Sequence, residues 1–160
     1  MKNTEMVMLK MELSDFYDDY AHALDKYDLD AWVACFTEDC HYRVISHENM
    51  SAGLPLGLIY CMNKNMLRDR VLALRETTMY EPRVLRHFIS GLKILNITND
   101  EIQVEANFLI TESLSDQEPT ISLVGQYQDI VIRQEDGFLL KHRDCVYDNY
   151  RIRNSLIIPV

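Results

Sequence analysis

The side chains best suited to chemistry are concentrated in one stretch, "EDCHYRVISHEN", at residues 38–49. It holds a cysteine, two histidines, a tyrosine and an arginine. The alternation in "CHYRVIS" is typical of a β-strand, which puts Tyr42 on one face and both His41 and His47 on the other. At about 3.3 Å per residue, these two histidines would lie roughly 20 Å apart on one straight strand. The pattern therefore favours a half-exposed strand over a metal site.

Four further positions have both a functional and a structural interpretation. His87, in "RHFIS", lies among apolar residues; histidine can act as an acid or base near neutral pH, but a buried hydrogen bond is the favoured reading. Tyr27 and Asp28 could pair a hydroxyl with a base, although a helix end followed by an N-cap is favoured. His142, between two basic residues, is expected at a solvated or interface position.

A group of arginines follows "CMNKN". Arg68, Arg70 and Arg75 could clamp a carboxylate, because a guanidinium binds carboxylates in a bidentate manner. The more common alternative is a solvated helix face, on which they would pair with Asp69 and Glu76. A salt bridge between subunits is the third interpretation.

Motifs for metals, nucleotides and nucleophiles are absent from the sequence. It has no G-x-S-x-G, P-loop, dinucleotide fingerprint or H-E-x-x-H motif. The C-x-H and C-x-x-H pair of a Rieske cluster is missing, and no two-histidine, one-carboxylate set stands out. None of the four cysteines forms a CxxC pair; they are Cys35, Cys40, Cys61 and Cys145. We therefore predict no metal or cofactor in this chain.

Length and charge limit the function classes further. The chain has 160 residues, which suits a single domain at 1–160, and its formal net charge is -9. This acidity argues against nucleic-acid binding and against anionic membranes. Acidic residues come too early for a secretory signal, and no run of about 18 apolar residues could span a bilayer. We expect a cytoplasmic protein with reduced thiols.

The first half of the chain predicts helices with one strand between them. Apolar residues recur at three- and four-residue steps over 5–27, which indicates an amphipathic helix. Its predicted apolar stripe is Leu9, Leu13, Phe16, Tyr17, Tyr20 and Leu24. Asp28 is then a plausible N-cap for a short helix, "LDAWVACF", and the strand "CHYRVIS" follows. Gly53, Pro55 and Gly57 predict a loop in "SAGLPLGLIY". Helical spacing returns over 62–78.

From residue 84 onward the pattern is mostly that of strands. "EIQVEANFLIT" alternates cleanly, with a predicted turn at 98–100 before it. The residues predicted to point inward are Ile102, Val104, Ala106, Phe108 and Ile110. Asp136-Gly137 is the strongest hairpin signal, between "TISLVGQYQDIVIR" and "FLLKHRDCVYD". Helices followed by antiparallel strands indicate an α+β fold. We expect a curved antiparallel sheet wrapped around the N-terminal helices.

The order of these pieces resembles a known family. The matching stretches are "ALDKYDLDAWVACFTEDCHYRV", "MLRDRVLALRET", "VLRHFISG", "VGQYQDIVIR" with "DGFLLKHRDCVYD", and the apolar "NSLIIPV". Each is weak alone, but the ordered set is similar to the small (beta) subunit of Rieske non-haem iron aromatic-ring-hydroxylating oxygenases. "EDCHYRV", "GLPLGLIY" and "DCVYDNYRIRNSLIIPV" resemble the salicylate 5-hydroxylase and terephthalate dioxygenase types, which act on aromatic carboxylates.

The resemblance implies a cone-shaped fold of the nuclear transport factor 2, SnoaL and scytalone dehydratase type. It implies a catalytic alpha subunit that carries a Rieske [2Fe-2S] cluster and mononuclear Fe(II). Electrons would reach that subunit from NAD(P)H through a reductase, with or without a ferredoxin. Beta subunits would form the trimeric base of an α3β3 hexamer. This chain would then support its partner without being catalytic itself.

The same fold family also offers a rival interpretation. In scytalone dehydratase-like and ketosteroid isomerase-like enzymes, the cone encloses an acid–base site. Tyr27, Asp28, Tyr42 and His87 stand at positions that look similar, but "FLITESLS" supplies no counterpart for a second pocket histidine. A non-catalytic binding module is a third possibility. Residues 151–160, which include the apolar stretch "LIIPV", are predicted to help hold an assembly, since free chain ends are usually polar.

Overall fold

The computed structural model describes residues 3–98, 100–152 and 155–160. Its helices and strands follow the predicted order along the chain, except for a short helix after the first strand and a second strand within the predicted loop, neither of which was predicted. The helices are α1 Asn3–Asp25, α2 Leu29–Ala34, α3 His47–Ser51 and α4 Lys64–Glu76. The strands are β1 Phe36–Ser46, β2 Gly57–Cys61, β3 Arg83–Ile97, β4 Glu101–Leu114, β5 Thr120–Gln134 and β6 Gly137–Tyr147. No helix among these residues is both long enough and apolar enough to cross a membrane.

The strands form one curved sheet in the order β2-β1-β6-β5-β4-β3. All neighbours are antiparallel except β1 and β6, which run parallel. The expected antiparallel sheet thus contains one parallel pair. The cause is topological: a hairpin makes neighbours antiparallel, whereas a parallel pair needs a long crossover. Here α3, β2, α4 and three further strands separate β1 from β6.

Helix α1 packs its apolar stripe against the inner face of the sheet. We use "the cone" for the interior enclosed by α1, α2 and this face. Five of the six predicted stripe residues are buried and Phe16 is half-buried; the buried ones are Leu9, Leu13, Tyr17, Tyr20 and Leu24. Burying such a stripe stabilises the fold through the hydrophobic effect. The amphipathic helix predicted from the spacing is confirmed.

Strands β4, β5 and β6 complete the cone wall. The predicted inward set on β4 is buried throughout: Ile102, Val104, Ala106, Phe108 and Ile110. At Gly125 on β5, a Cβ atom would lie 2.1 Å from the Val146 carbonyl oxygen, so the close approach of β6 requires glycine. The Asp136-Gly137 hairpin is confirmed, and Gly137 has a φ of 134° that side-chain-bearing residues avoid.

The predicted loop over "SAGLPLGLIY" is partly wrong. Its second half forms β2, which pairs with β1 by placing Tyr42 opposite Cys61. Glycine and proline signals are local, whereas β2 forms because β1 offers an unpaired edge, which no local pattern reveals. The predicted turn at 98–100 includes residue 99, which lies outside the described residues.

The tail, residues 155–160, turns back onto the fold. Ile158 and Val160 are buried against the cone, and Val160 is fully so. From α4, the Arg70 Nη2 atom donates hydrogen bonds to the carbonyl oxygens of Leu156 and Ile157, at 3.3 and 3.2 Å. Both side-chain packing and backbone hydrogen bonds therefore hold this segment.

Candidate functional site

An ion pair lies at the centre of the cone. Arg143 on β6 is directly opposite Asp129 on β5, and both side chains are fully buried. The Arg143 Nε atom donates to Asp129 Oδ1 at 3.0 Å, and Nη2 donates to Oδ2 at 2.6 Å. Such bidentate geometry offsets the large cost of removing both charges from water. We call these two residues the inner ion pair.

Three tyrosines enclose the inner ion pair. The Arg143 guanidinium carbon lies 4.1 Å from the ring centroids of Tyr20 and Tyr127 and 4.8 Å from that of Tyr17. Cations within about 6 Å of a ring face are attracted by its electrons. The Tyr17 hydroxyl also donates to Asp129 Oδ2. These rings take the place of water around a charge that burial would otherwise penalise.

Burial and neighbouring charges shift the pKa values of the groups at this centre. Burial alone would lower the pKa of Arg143, but Asp129 and the tyrosines hold that pKa well above its ordinary value. Burial raises the pKa of Tyr17, Tyr20 and Tyr127, and the charge of Asp129 raises the pKa of Tyr17 further. Each of these tyrosine hydroxyls is therefore protonated at neutral pH. In the structure they pack around the Arg143 guanidinium, and Tyr17 also bonds to Asp129.

The tail enters the cone beside this cluster. The backbone oxygen atom of Val160 accepts hydrogen bonds from the hydroxyls of Tyr20 and Tyr42, the latter at 3.1 Å, and from the Cys145 thiol at 3.6 Å. The Val160 amide in turn donates to the Tyr42 hydroxyl oxygen at 2.9 Å. The chain's own backbone thus occupies the polar part of the interior.

Among the four residues of the rival acid–base interpretation, Tyr42 belongs to this buried group. It is fully buried, and its ring makes edge contacts with Trp32 and Phe36 at centroid distances of 5.5 and 5.7 Å. Burial raises the pKa of Tyr42 well above its ordinary value. Its hydroxyl both donates a hydrogen bond to Val160 and accepts one from it. In this structure the hydroxyl is therefore bonded to the tail and is not available to a substrate.

His87 connects β3 to the end of α1. Its Nδ1 atom lies 2.7 Å from Asp25 Oδ1, and its backbone amide donates to the same carboxylate at 3.1 Å. The His87 side chain is fully buried, and its Nε2 atom has no hydrogen-bond partner among the described residues. This arrangement is a buried histidine held by a carboxylate, and it fixes α1 to the sheet.

Tyr27 and Asp28 lie where α1 passes into α2. Asp28 Oδ1 accepts from the Ala31 amide at 3.0 Å, which is the N-cap contact predicted from the sequence. Tyr27 has a left-handed φ of 59°, and its hydroxyl is hydrogen-bonded to that of Tyr80. Burial raises the pKa of Tyr27 to about 12. Both residues therefore have structural contacts of their own.

The four residues of the rival interpretation do not form one bonded group. Within the described part of the chain, no hydrogen bond joins any two of Tyr27, Asp28, Tyr42 and His87. A separate groove runs between the tail and strands β3 to β5, with Leu85, Ile110 and Leu123 on its floor. None of the four residues lines it.

In the stretch at residues 38–49, the polar side chains of His41 and Arg43 lie on the outer face of the sheet. His41 is directly opposite His142 across the parallel pair, with 3.2 Å between their Nδ1 atoms. The prediction that His47 lies on the same strand is wrong, because β1 ends at Ser46, which caps α3, and His47 begins that helix. Beside His41 and His142, Arg43 makes two 2.6 Å hydrogen bonds to Asp144. We call Arg43 and Asp144 the outer ion pair.

The charges on the outer face are linked. His142 Nε2 lies 2.9 Å from Asp144 Oδ2. Burial works to raise the pKa of Asp144, but hydrogen bonds from Arg43 and His142 bring it down to about 2. Burial lowers the pKa of His41, and the neighbouring His142 lowers it further. His142 is thus half-buried in a network, not simply solvated.

The arginines of α4 have partners other than those expected. Arg68 makes two hydrogen bonds to Glu38, at 2.9 and 3.1 Å, and Arg75 bonds to Asp30. Arg70 binds the tail. The expected pairing with Asp69 and Glu76 is wrong, because these long side chains reach neighbouring elements. In the described part of the chain, no three His, Cys, Asp or Glu side chains are arranged to hold a metal ion.

The inner ion pair was missed by the sequence reasoning. Arg143 was treated only as a charged neighbour of His142. A signal existed, because strict alternation in "GQYQDIVIR" puts Asp129 on the inward face between Tyr127 and Val131. A β-bulge between residues 130 and 131 shifts the register with β6, which made the matching position of Arg143 harder to find.

Curated relatives match the chain almost from end to end. The chain is 36% identical to the anthranilate 1,2-dioxygenase small subunit of Burkholderia cepacia, over 98% of both chains. It is 29% identical to a terephthalate 1,2-dioxygenase terminal oxygenase subunit, beta 1, from a Comamonas species, over 94% of this chain and 98% of that one.

Solved structures and a family pattern agree with these relatives. A protein of Novosphingobium aromaticivorans described as the beta subunit of an aromatic-ring-hydroxylating dioxygenase superposes with a TM-score of 0.89 and 34% identity, over 97% and 99% of the two chains. The predicted fold is confirmed further by a protein of that organism described as a scytalone dehydratase, with a TM-score of 0.71 and 19% identity over 97% and 95%. The protein-family model described as "ring hydroxylating beta subunit" matches residues 20–154. The chain therefore belongs to the ring hydroxylating beta subunit family, the small subunits of multicomponent aromatic-ring-hydroxylating dioxygenases.

Proposed function

We propose that this chain supports a catalytic alpha subunit and performs no chemistry alone. The observation that carries the proposal is that the chain's own side chains and tail fill the centre of the cone, with a groove left between the tail and strands β3 to β5. Where a related fold could hold a substrate, this chain packs the inner ion pair, three tyrosines and Val160. Enzyme pockets instead leave a cavity with converging polar groups. The alpha subunit would hold the Rieske [2Fe-2S] cluster and the mononuclear Fe(II).

We further propose a cytoplasmic α3β3 hexamer with a beta trimer at its base. Electrons from NAD(P)H would reach the alpha subunits through a reductase and, in some systems, a ferredoxin. We propose no nucleic-acid or membrane partner, in keeping with the net charge of -9.

The proposed substrate class is an aromatic carboxylate. Support comes from the relatives, since anthranilate and terephthalate are both aromatic acids. The salicylate and terephthalate types suggested by the sequence fall in the same class. The alpha subunit would select among such acids.

Co-expression with the large subunit of a ring-hydroxylating dioxygenase, followed by light scattering and absorbance spectroscopy, tests the assembly. We expect a hexamer with the absorbance of an iron–sulfur cluster. A metal-free oligomer of this chain that ignores the large subunit would contradict the proposal. As a functional control, this chain with the reductase alone should not turn over an aromatic acid.

One observation supports the rival acid–base interpretation, namely the buried His87–Asp25 pair. In many enzymes a carboxylate orients a catalytic histidine in this way. His87→Gln distinguishes the two. In the assembled enzyme we expect lower stability with nearly unchanged turnover per folded complex. A large fall in turnover at unchanged stability would favour a functional His87. The matched control is His22→Gln, an exposed histidine on α1.

A further inference from the structure

We propose that His41 and His142 form an acid-sensitive contact, through which mildly acidic pH opens the pairing of β1 with β6 on the outer face of the sheet. We call these two residues the histidine pair. Their Nδ1 atoms lie 3.2 Å apart, and their rings are tilted by 52° with centroids 4.9 Å apart. Two ring nitrogens this close need one proton between them, which one ring donates and the other accepts. The contact therefore depends on the protonation of both rings.

The histidine pair can hold three ring protons in this geometry, but not four. His142 Nε2 lies 2.9 Å from Asp144 Oδ2, so one proton belongs in that bond. A second proton lies between the two Nδ1 atoms, and a third can be added at His41 Nε2 without disturbing either bond. A fourth proton would put one on each Nδ1 atom, so that two donors and two positive charges would face each other. The pair therefore stays joined with one charge and separates with two.

The surroundings of His41 disfavour a charge on its ring. The ring makes an edge contact with Tyr60 of β2, with centroids 5.1 Å apart, and its Nε2 atom is buried with no hydrogen-bond partner among the described residues. Burial lowers the pKa of His41, and the charges of His142 and Arg43 lower it further. Asp144 acts in the opposite direction, but to a smaller extent. The second charge of the pair would therefore fall on His41, below the ordinary pKa of a histidine.

Asp144 stabilises the first charge of the pair, on His142. On β5, the residue opposite His142 is the uncharged Ile130, and Glu105 of β4 lines a shallow hollow that His142 also lines. Further charged groups on β1 and β6 are Glu38, Asp39, Arg43, Lys141 and Arg143. All of these but Asp39 have ion-pair partners other than the histidines. A single charge on the pair is thus compatible with the bonds around it.

The position of the histidine pair in the sheet favours a local opening. The pairing of β1 with β6 is irregular between Phe36, which is opposite Leu140, and His41, which is opposite His142. The histidine pair is therefore the first paired position after an interruption. Local opening costs less free energy than global unfolding, and least where few backbone bonds must break. Loss of the contact between the Nδ1 atoms would free this part of β1 while the core of the cone stays packed.

Hydrogen exchange of the purified chain from about pH 7.5 to about pH 5 provides the first test. After correction for intrinsic exchange rates, we expect the amides of residues 41–46 to open more often as the pH falls below 6.5, the ordinary pKa of histidine. The expected increase is up to about tenfold per pH unit, because each opening takes up one proton. Asp144 stays ionised over this range, since its pKa is about 2. The test variant is His41→Gln, and the matched control is His22→Gln, an exposed histidine on α1.

Each outcome decides the proposal. A pH response that His41→Gln abolishes and His22→Gln retains supports it. A response that His41→Gln retains, or no response in the unaltered chain, overturns it. If His41→Gln does not fold, NMR of the ring nitrogens in the unaltered chain decides instead: we expect a second charged ring only at a pH where β1 opens, and two charged rings with β1 still protected would overturn the proposal. Because no measurement uses the alpha subunit, failure here leaves the proposed supporting role untouched.

Discussion

Arg143 and Asp144 are neighbours on β6, yet they form ion pairs on opposite faces of the sheet. The inner pair, Arg143 with Asp129, has no exposed side-chain surface. The outer pair, Arg43 with Asp144, is 17% and 5% exposed. The N···O distance is 2.6 Å in both. The two pairs have similar bonds, but we expect the loss of a partner to cost less stability at the outer pair. Water can solvate the charge that is left there, whereas it cannot reach the inner pair.

The largest effect should follow from breaking the inner pair. Asp129→Asn removes one charge and leaves the Arg143 guanidinium uncompensated in the cone. We expect the free energy of unfolding to fall by about 3–5 kcal/mol, the usual cost of stranding a buried charge. Urea denaturation of the purified chain measures it.

A double variant shows how much of that cost is the stranded charge. Asp129→Leu combined with Arg143→Met removes both charges and keeps apolar volume. Since well-packed hydrophobic replacements of buried ion pairs are often neutral, the double variant should be more stable than Asp129→Asn. Equal or lower stability would mean that the contacts of the guanidinium with Tyr17, Tyr20 and Tyr127 stabilise the fold more than the charge balance does.

The outer pair should give a smaller loss. Asp144→Asn leaves Arg43 and His142 partly in contact with solvent, so we expect a loss of about 1–3 kcal/mol at neutral pH, the range for a hydrogen bond to a charged group. Equilibrium denaturation in urea at pH 7 measures it. A loss as large as that of Asp129→Asn would mean that the outer face is as dry as the cone.

The outer pair also predicts a pH dependence. The pKa of Asp144 is about 2 in the folded chain, below its ordinary value of 3.8. Between these values the unfolded chain binds more protons, so stability falls as the pH falls from about 4 to 2. Comparing unfolding of the unaltered chain and Asp144→Asn across this range tests the sign. The variant should lose less stability; an equal loss in both would assign the acid sensitivity elsewhere.

The same strands show what a sequence can and cannot predict. The alternation in "CHYRVIS" correctly put Tyr42 and His41 on different faces, and the N-cap at Asp28 was predicted correctly, because both features depend on neighbours a few residues away. The ion pairs were not predicted, because they join strands through sheet pairing. Asp144 meets Arg43 across a parallel pair 101 residues apart, and that pairing has no local signal.

Partners of the predicted candidates were equally hidden. Nothing near His87 in the sequence points to Asp25, which is 62 residues away on α1. Tyr42 was a candidate because of its chemistry, but only the folded chain shows that Val160 uses its hydroxyl. Residue type therefore indicated which side chains could act, while the long-range packing decided what they contact.

The exposed ion pair between Arg68 and Glu38 should contribute least to the stability of the fold. Arg68 and Glu38 are 49% and 71% exposed, although their N···O distance is 2.9 Å. Glu38→Gln should leave the urea midpoint almost unchanged, because water already solvates both groups and holding long side chains in place costs entropy. Any small loss should vanish in about 1 M salt, where the Debye length is about 3 Å. A loss that persists in high salt would show that Glu38 stabilises the chain by packing or hydrogen bonding, and that geometry as well as burial ranks the three pairs.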